Sequence, residues 1–291
     1  MKIRPLVPLI AASMSLPAVI IAQDLNVGEL GIENAGDQSD VSLTRNKGAA
    51  VIGKSNLPEL EKGAGLVKKG DDHILPESVQ NLTPQEKAAI QRQLQTAASY
   101  IQGIRLQEGL QILFDIEKKS DEIYHTHNLR GAVYTKLRDF PKARRSFNRT
   151  LELRPDLLEA RFNLAELDFV EKKFPEAEKS FAKLKKDFPD LPASQKKLVD
   201  YKIYVALLMQ STAKSDAKER SALQIKDTFD FLGDTPAYYC AEMAHAFKHN
   251  QAEKANEWLV SANKIFSSPG DKALLQVYLD ALMEVGWMET F

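Results

Sequence analysis

The chain has 291 residues, 44% of them hydrophobic and 27% charged, enough for one or two soluble domains with a sizeable core. Its net charge of −1, from 39 basic and 40 acidic residues, argues against a general nucleic-acid or anionic-membrane surface, because such binders need a dominant basic patch. The single cysteine, Cys240, excludes an intramolecular disulfide and a thiolate metal cluster.

The N-terminus has the layout of a secretory signal. Lys2 and Arg4 precede an uncharged, mostly apolar stretch from Leu6 to Ala22, and polar sequence begins at Gln23. Cleavage fits after Ala22 or after Ala18. A retained anchor is the alternative reading, but a stretch from Leu6 to Ala22 that contains Pro8 and Pro17 falls short of the ~20 residues that a spanning helix needs. Loss of residues 1–22 leaves 37 basic against 40 acidic residues, a net charge of −3. The expectation is an exported protein, periplasmic or secreted, with no stable membrane span after cleavage. Residues 23–80 are rich in Gly, Asp, Asn, Ser and Lys and lack aromatics. They sustain no helical or strand period, and such a composition buries too little surface to offset chain entropy. This segment reads as a disordered linker, with short docking segments around Val51 and Leu57–Leu60.

Residues 81–291 form the expected folded domain. Thr83 is a good N-cap, Pro84 suits the first helical position and Glu86 completes a capping box, so a helix runs from there to about Gly103. A second follows from Leu106 to about Lys118. Segments 124–157 and 158–191 then repeat each other position by position, with a period of about 34 residues. Gly131 aligns with Ala165, Phe140-Pro141 with Phe174-Pro175, Ala143 with Ala177, Phe147 with Phe181, and Pro155-Asp156 with Pro189-Asp190. Shifted back by the same period, the frame sets Tyr100 on Tyr134, Ala97 on Gly131 and Gly109 on Ala143, a degenerate earlier copy.

Beyond Pro192 the period drifts. Leu198, Tyr201, Val205 and Leu208 keep a helical spacing to about Gln210. A polar turn near Ser211–Asp216 leads to a helix ending about Phe231. Gly233-Asp234-Thr235-Pro236 breaks the chain before a helix to about His249, and Ala252 to Phe266 returns. Ser268-Pro269-Gly270-Asp271 breaks it again before a last helix, Lys272 to Val285. No alternating strand pattern of useful length occurs in 82–291.

This period and the pattern Gly131-x2-Tyr134, Ala143-x3-Phe147, Pro155, then Leu164-Ala165, Ala177-x3-Phe181, Pro189, resemble the tetratricopeptide (TPR) repeat. The small residues permit close helix crossing, Tyr134, Phe147 and Phe181 fill the space between units, and the prolines stop the second helix. Arg130, His127, Arg161 and Asp168 depart from the family pattern. The match covers segments 124–157 and 158–191, about a quarter of the chain. The resemblance implies an all-α, right-handed solenoid of helical hairpins, about four to five pairs plus a C-terminal capping helix. It also implies a concave groove lined by the first helix of each hairpin. The outward positions there are His125, Asn128, Ala132, Thr135, Glu159, Phe162, Asn163, Glu166 and Phe169. They form a mixed polar and aromatic surface for a helix or extended peptide.

Signatures of catalysis are missing: no glycine-rich phosphate loop, no Gly-x-Ser-x-Gly elbow, no His-Glu-x2-His and no paired Cys-x2-Cys. His245 and His249 are four apart on one helix face, a spacing that can put two imidazoles on a metal. No third ligand is evident nearby, and imidazoles also suit the C-terminal end of a helix dipole. No metal or cofactor is therefore expected, and no enzyme. Cys240, among Tyr238, Tyr239 and Met243, reads as a small buried hydrophobe. The expected function is a non-catalytic scaffold of the cell envelope or secreted space that holds a protein or peptide partner. The alternative is a structural subunit packing laterally through its atypical ends. Homo-oligomerisation stays open.

Overall fold

The computed structural model describes residues 76–212, 216–233 and 235–288. The export signal expected at 1–22, and the expected linker as far as Leu75, lie outside the described residues. A short helix α1, Glu77–Gln80, precedes Thr83, and its Val79 is buried. The end of the segment expected as linker therefore belongs to the fold. Ser78 Oγ donates to Glu122 Oε2 at 2.5 Å and lies 2.9 Å from Ser120 Oγ, which ties this start to the loop before α4.

Every described regular element is a helix, and no strand occurs among the described residues. α2, Pro84–Gln102, begins with the expected capping box: Thr83 accepts from the Glu86 backbone and the Glu86 carboxylate accepts from the Thr83 backbone. α3, Leu106–Glu117, pairs with it. α4, Tyr124–Lys136, pairs with α5, Phe140–Leu153, and α6, Leu158–Val170, with α7, Phe174–Asp187. α8, Ala193–Gln210, pairs with α9, Ala217–Lys226, and α10, Ala237–Lys248, with α11, Ala252–Ile265. α12, Pro269–Glu284, closes the described chain. It starts ahead of the expected Lys272, because Ser268 caps it by accepting from the Asp271 backbone and Pro269 takes the first helical position. α9 stops at Lys226, short of the expected Phe231.

Four of the five hairpins share one turn. Ile104, Arg138, Lys172 and Asn250 each have positive φ, between 56° and 62°. In each case the next residue's N–H bonds back to a carbonyl in the last turn of the preceding helix. These bonds run from Arg105 to Tyr100 (2.8 Å), Asp139 to Tyr134, Lys173 to Asp168, and Gln251 to Ala246 (each 2.9 Å). This is the helix-ending arrangement that satisfies orphan carbonyls, usually around glycine, here built without it. Ile104, Arg138 and Lys172 follow one another at equal intervals, so α2 and α3 keep the spacing of the two clear repeats.

The residues singled out as repeat packing are in the core where their chemistry requires it. Ala143, Phe147, Ala165, Ala177 and Phe181 are completely buried. A Cβ on Gly131 would stand 2.5 Å from the Phe147 ring, so only glycine lets the ring close over α4. Tyr134 is half-buried. Pro155 and Pro189 lie just beyond the ends of α5 and α7. The departures from the repeat pattern are met by polar partners. Arg130 binds Glu117 of α3 and the His127 ring (3.0 Å), and His127 Nε2 donates to the Asp121 carbonyl at 2.6 Å. Arg161 pairs with Asp187 at 2.6 Å, and Asp168 with Arg144 at 2.8 Å.

The C-terminal part packs differently. α8 lies against α7, α9, α10 and α12 at once, and is buried on all sides from Leu198 to Leu208 except Asp200. α12 lies against α8 and α10 as well as α11. Tyr201 and Tyr278 meet with ring centroids 5.1 Å apart between α8 and α12. α12 ends at Gly286, φ 83°, where the Trp287 N–H bonds the Leu282 carbonyl at 2.9 Å and turns Trp287 back onto the core.

Candidate functional site

The inner positions of α4 and α6 do not form an open groove along their whole length. Thr135, Phe162, Asn163, Glu166 and Phe169 are buried, Phe162 and Phe169 at 3% and 1% exposure. Phe162 packs edge-on to Phe181 and Phe169 edge-on to Phe174, with centroids 5.5 and 5.6 Å apart. The two aromatics expected as peptide anchors thus serve the core. Ala132 is also buried. Thr135 returns its hydroxyl to the Gly131 carbonyl at 2.9 Å.

His125, Asn128 and Glu159 are half-buried and keep solvent access. Asn163 Nδ2 donates to Asn128 Oδ1 at 3.0 Å, joining α6 to α4 at this edge. His125 stacks on Tyr124, centroids 3.9 Å apart. His125, Asn128 and Glu159 are the part of the expected surface that a partner can still reach.

α12 comes close to this region from its C-terminal half. Glu284 at its end pairs with Arg138 at the turn after α4, 2.9 Å away and distant in sequence. Beneath it, Lys202 of α8 pairs with Glu166 of α6 at 2.9 Å, with side chains 5% and 6% exposed. The same ammonium stands 5.0 Å over the Phe169 ring. Asp280 faces this pair from α12 and accepts from Gln276 Nε2 at 2.7 Å. Burial pushes its carboxyl up to about 7, against the Gln276 hydrogen bond and the Lys202 charge, which pull it down. Burial lowers the Lys136 ammonium at the end of α4, which Asp280 partly offsets. α12 therefore packs on α8, α10 and α11 and reaches the turn after α4 through Glu284, with Asp280 close to the charges of Lys202, Glu166 and Lys136.

The sequence reading treats the last helix as a cap on a stack. Its composition carries a signal to the contrary: Leu275, Val277, Tyr278, Leu279, Ala281 and Leu282 are all buried, a face too wide for a helix that touches one neighbour. Arg144 bridges Asp168 and Glu171, and Lys185 pairs with Asp200.

Cys240 is fully buried, and burial pushes its thiol up, away from a reactive thiolate. No described helix is long and apolar enough to cross a membrane. Comparison with family models, with curated proteins and with solved structures returns no match.

Proposed function

We propose that the chain is a TPR-like helical solenoid, exported to the envelope or secreted, that works as a non-catalytic scaffold for a helix or extended peptide of a protein partner. The observation that carries this reading is α12 itself. It is a helix packed on α8, α10 and α11 that reaches the turn after α4 through Glu284 and sets Asp280 near Lys202 and Glu166, which is how a groove of this kind would take a helix from outside. The reachable edge at His125, Asn128 and Glu159 would extend that seat toward a partner.

The test uses the full chain as bait in an envelope extract, beside Arg138→Glu, which repels Glu284 and loosens α12. A discrete partner should bind, bind more strongly to the R138E chain, and be lost when His125, Asn128 and Glu159 are replaced together. Recovery of the same proteins by every variant would refute the reading.

A second reading, lateral packing into an assembly, is favoured by one feature. Phe231 and Leu232, between α9 and α10, are 52% and 82% exposed, and Val260 and Ile265 of α11 are also exposed. Phe231 lies against Tyr238 and Tyr239, whose rings meet Trp258, so the exposed residues cap an aromatic cluster. Self-association lost in a Phe231→Ser, Leu232→Ser chain would support it; a monomer at all concentrations would refute it.

A further inference from the structure

His245 and His249, on α10 and at its end, have no third ligand near them in the sequence. The fold brings one. Glu219 stands in the first turn of α9, where its backbone N–H donates to the Asp216 cap at 2.8 Å. Its side chain is 2% exposed and turned toward the end of α10. The imidazole rings of His245 and His249 have centroids 4.5 Å apart. One ligand-type atom from each of Glu219, His245 and His249 lies within 4.8 Å of the other two.

A histidine–glutamate hydrogen bond does not account for the cluster. His249 Nε2 comes within 2.7 Å of Glu219 Oε1, an ion-pair distance for a protonated ring, without the alignment of a hydrogen bond. A bound cation would part these two atoms only slightly, to the roughly 3.3 Å that separates tetrahedral ligands about 2.0 Å from zinc. The surroundings suit a cation. The site sits at the C-terminal end of α10, where the helix dipole is negative. The nearby Lys226 is neutralised by Glu242 at 2.5 Å. Burial first, then the neighbouring His249 and Lys226, hold His245 below the ordinary imidazole range.

We propose that Glu219, His245 and His249 bind a divalent transition-metal cation of the zinc class and thereby clip α9 to the end of α10. Two imidazoles and one carboxylate are a donor set that zinc takes, and three protein ligands leave one tetrahedral position for water. This runs against the expectation of no metal drawn from the chain alone. The missing ligand stands on the preceding helix, beyond a chain break that sequence spacing does not bridge.

The test titrates Co²⁺ into the tag-free, chelator-treated full chain and follows visible absorption. The proposal expects one Co²⁺ per chain with a tetrahedral spectrum, displaced by equimolar Zn²⁺, and a melting temperature raised by Zn²⁺. Glu219→Gln, His245→Gln and His249→Ala should each weaken binding more than about tenfold and abolish the Zn²⁺-induced rise. Glu219→Gln preserves volume, so its helicity and metal-free melt should match those of the parent chain and separate ligand loss from misfolding. Absence of stoichiometric binding, or an unchanged affinity in all three variants, would overturn the proposal.

Discussion

Helices α2 to α7 and helices α8 to α12 solve the same packing problem in two ways. In the first region the two helices of a hairpin meet through fixed small and large positions, such as Gly131 under the Phe147 ring, and the same turn recurs at Ile104, Arg138 and Lys172. In the second, α8 is surrounded by four helices, and α12 crosses back to meet the turn after α4. The first region repeats a local contact; the second depends on contacts distant in sequence. Loss of one residue should therefore act through a cavity in the first region and through uncompensated charge in the second.

The largest effect is expected from Phe147→Ala. The ring is fully buried, and its loss should cost about 3–5 kcal/mol, read as a lower denaturant midpoint. An unchanged midpoint would contradict the packing assigned to the repeat.

A loss of similar size is expected from Lys202→Met alone, about 3–5 kcal/mol, because Glu166 would keep a buried charge without its ion partner. Adding Glu166→Leu should recover most of that loss. If the double variant is no better than the single, the pair is not isolated enough for desolvation to govern it.

Asp280 gives the second region a pH dependence of its own. Its carboxyl is held up to about 7 in the fold, far above its ordinary value. Its contribution is therefore fully present at pH values below the ordinary carboxylate range and is lost as pH rises through about 7, where the buried group must ionise. Asp280→Asn should raise stability more at pH 8 than at pH 5, because at pH 5 the loss that begins above the ordinary carboxylate value is only partly developed. An equal effect at both values would show that Asp280 is not held neutral.

Much of the first region was legible in the sequence because its determinants are local. Thr83, Pro84 and Glu86 announce the start of α2, and Gly131, Ala143 and Phe147 recur as Ala165, Ala177 and Phe181 in the next repeat. Two matters were not legible. Phe162 and Phe169 occupy positions that the repeat pattern assigns to the groove, yet they pack on Phe181 and Phe174 of α7, and Lys202 of α8 stands over Phe169. Glu219 carries no marker of its proximity to His249, since that proximity depends on how α9 meets α10. The latter belongs to the region where long-range packing replaces periodic spacing.

The smallest effects belong to exposed features. Arg138→Ala removes a half-exposed ion pair and should cost only about 0.2–1 kcal/mol in stability. Lys172→Gly relieves a left-handed side chain at the cost of a freer unfolded chain, and should change stability by less than about 1 kcal/mol. Lys172→Val should be clearly worse than the glycine variant at this position.

The most direct test of the account asks whether α12 reaches the turn after α4. In a chain carrying Arg138→Cys and Glu284→Cys, with Cys240 buried and out of reach, a short bis-maleimide linker should join the two new thiols within one chain. Intact mass and peptide mapping should then show a monomer cross-linked between positions 138 and 284. Labelling of both thiols without a cross-link, or cross-links formed only between chains, would contradict it.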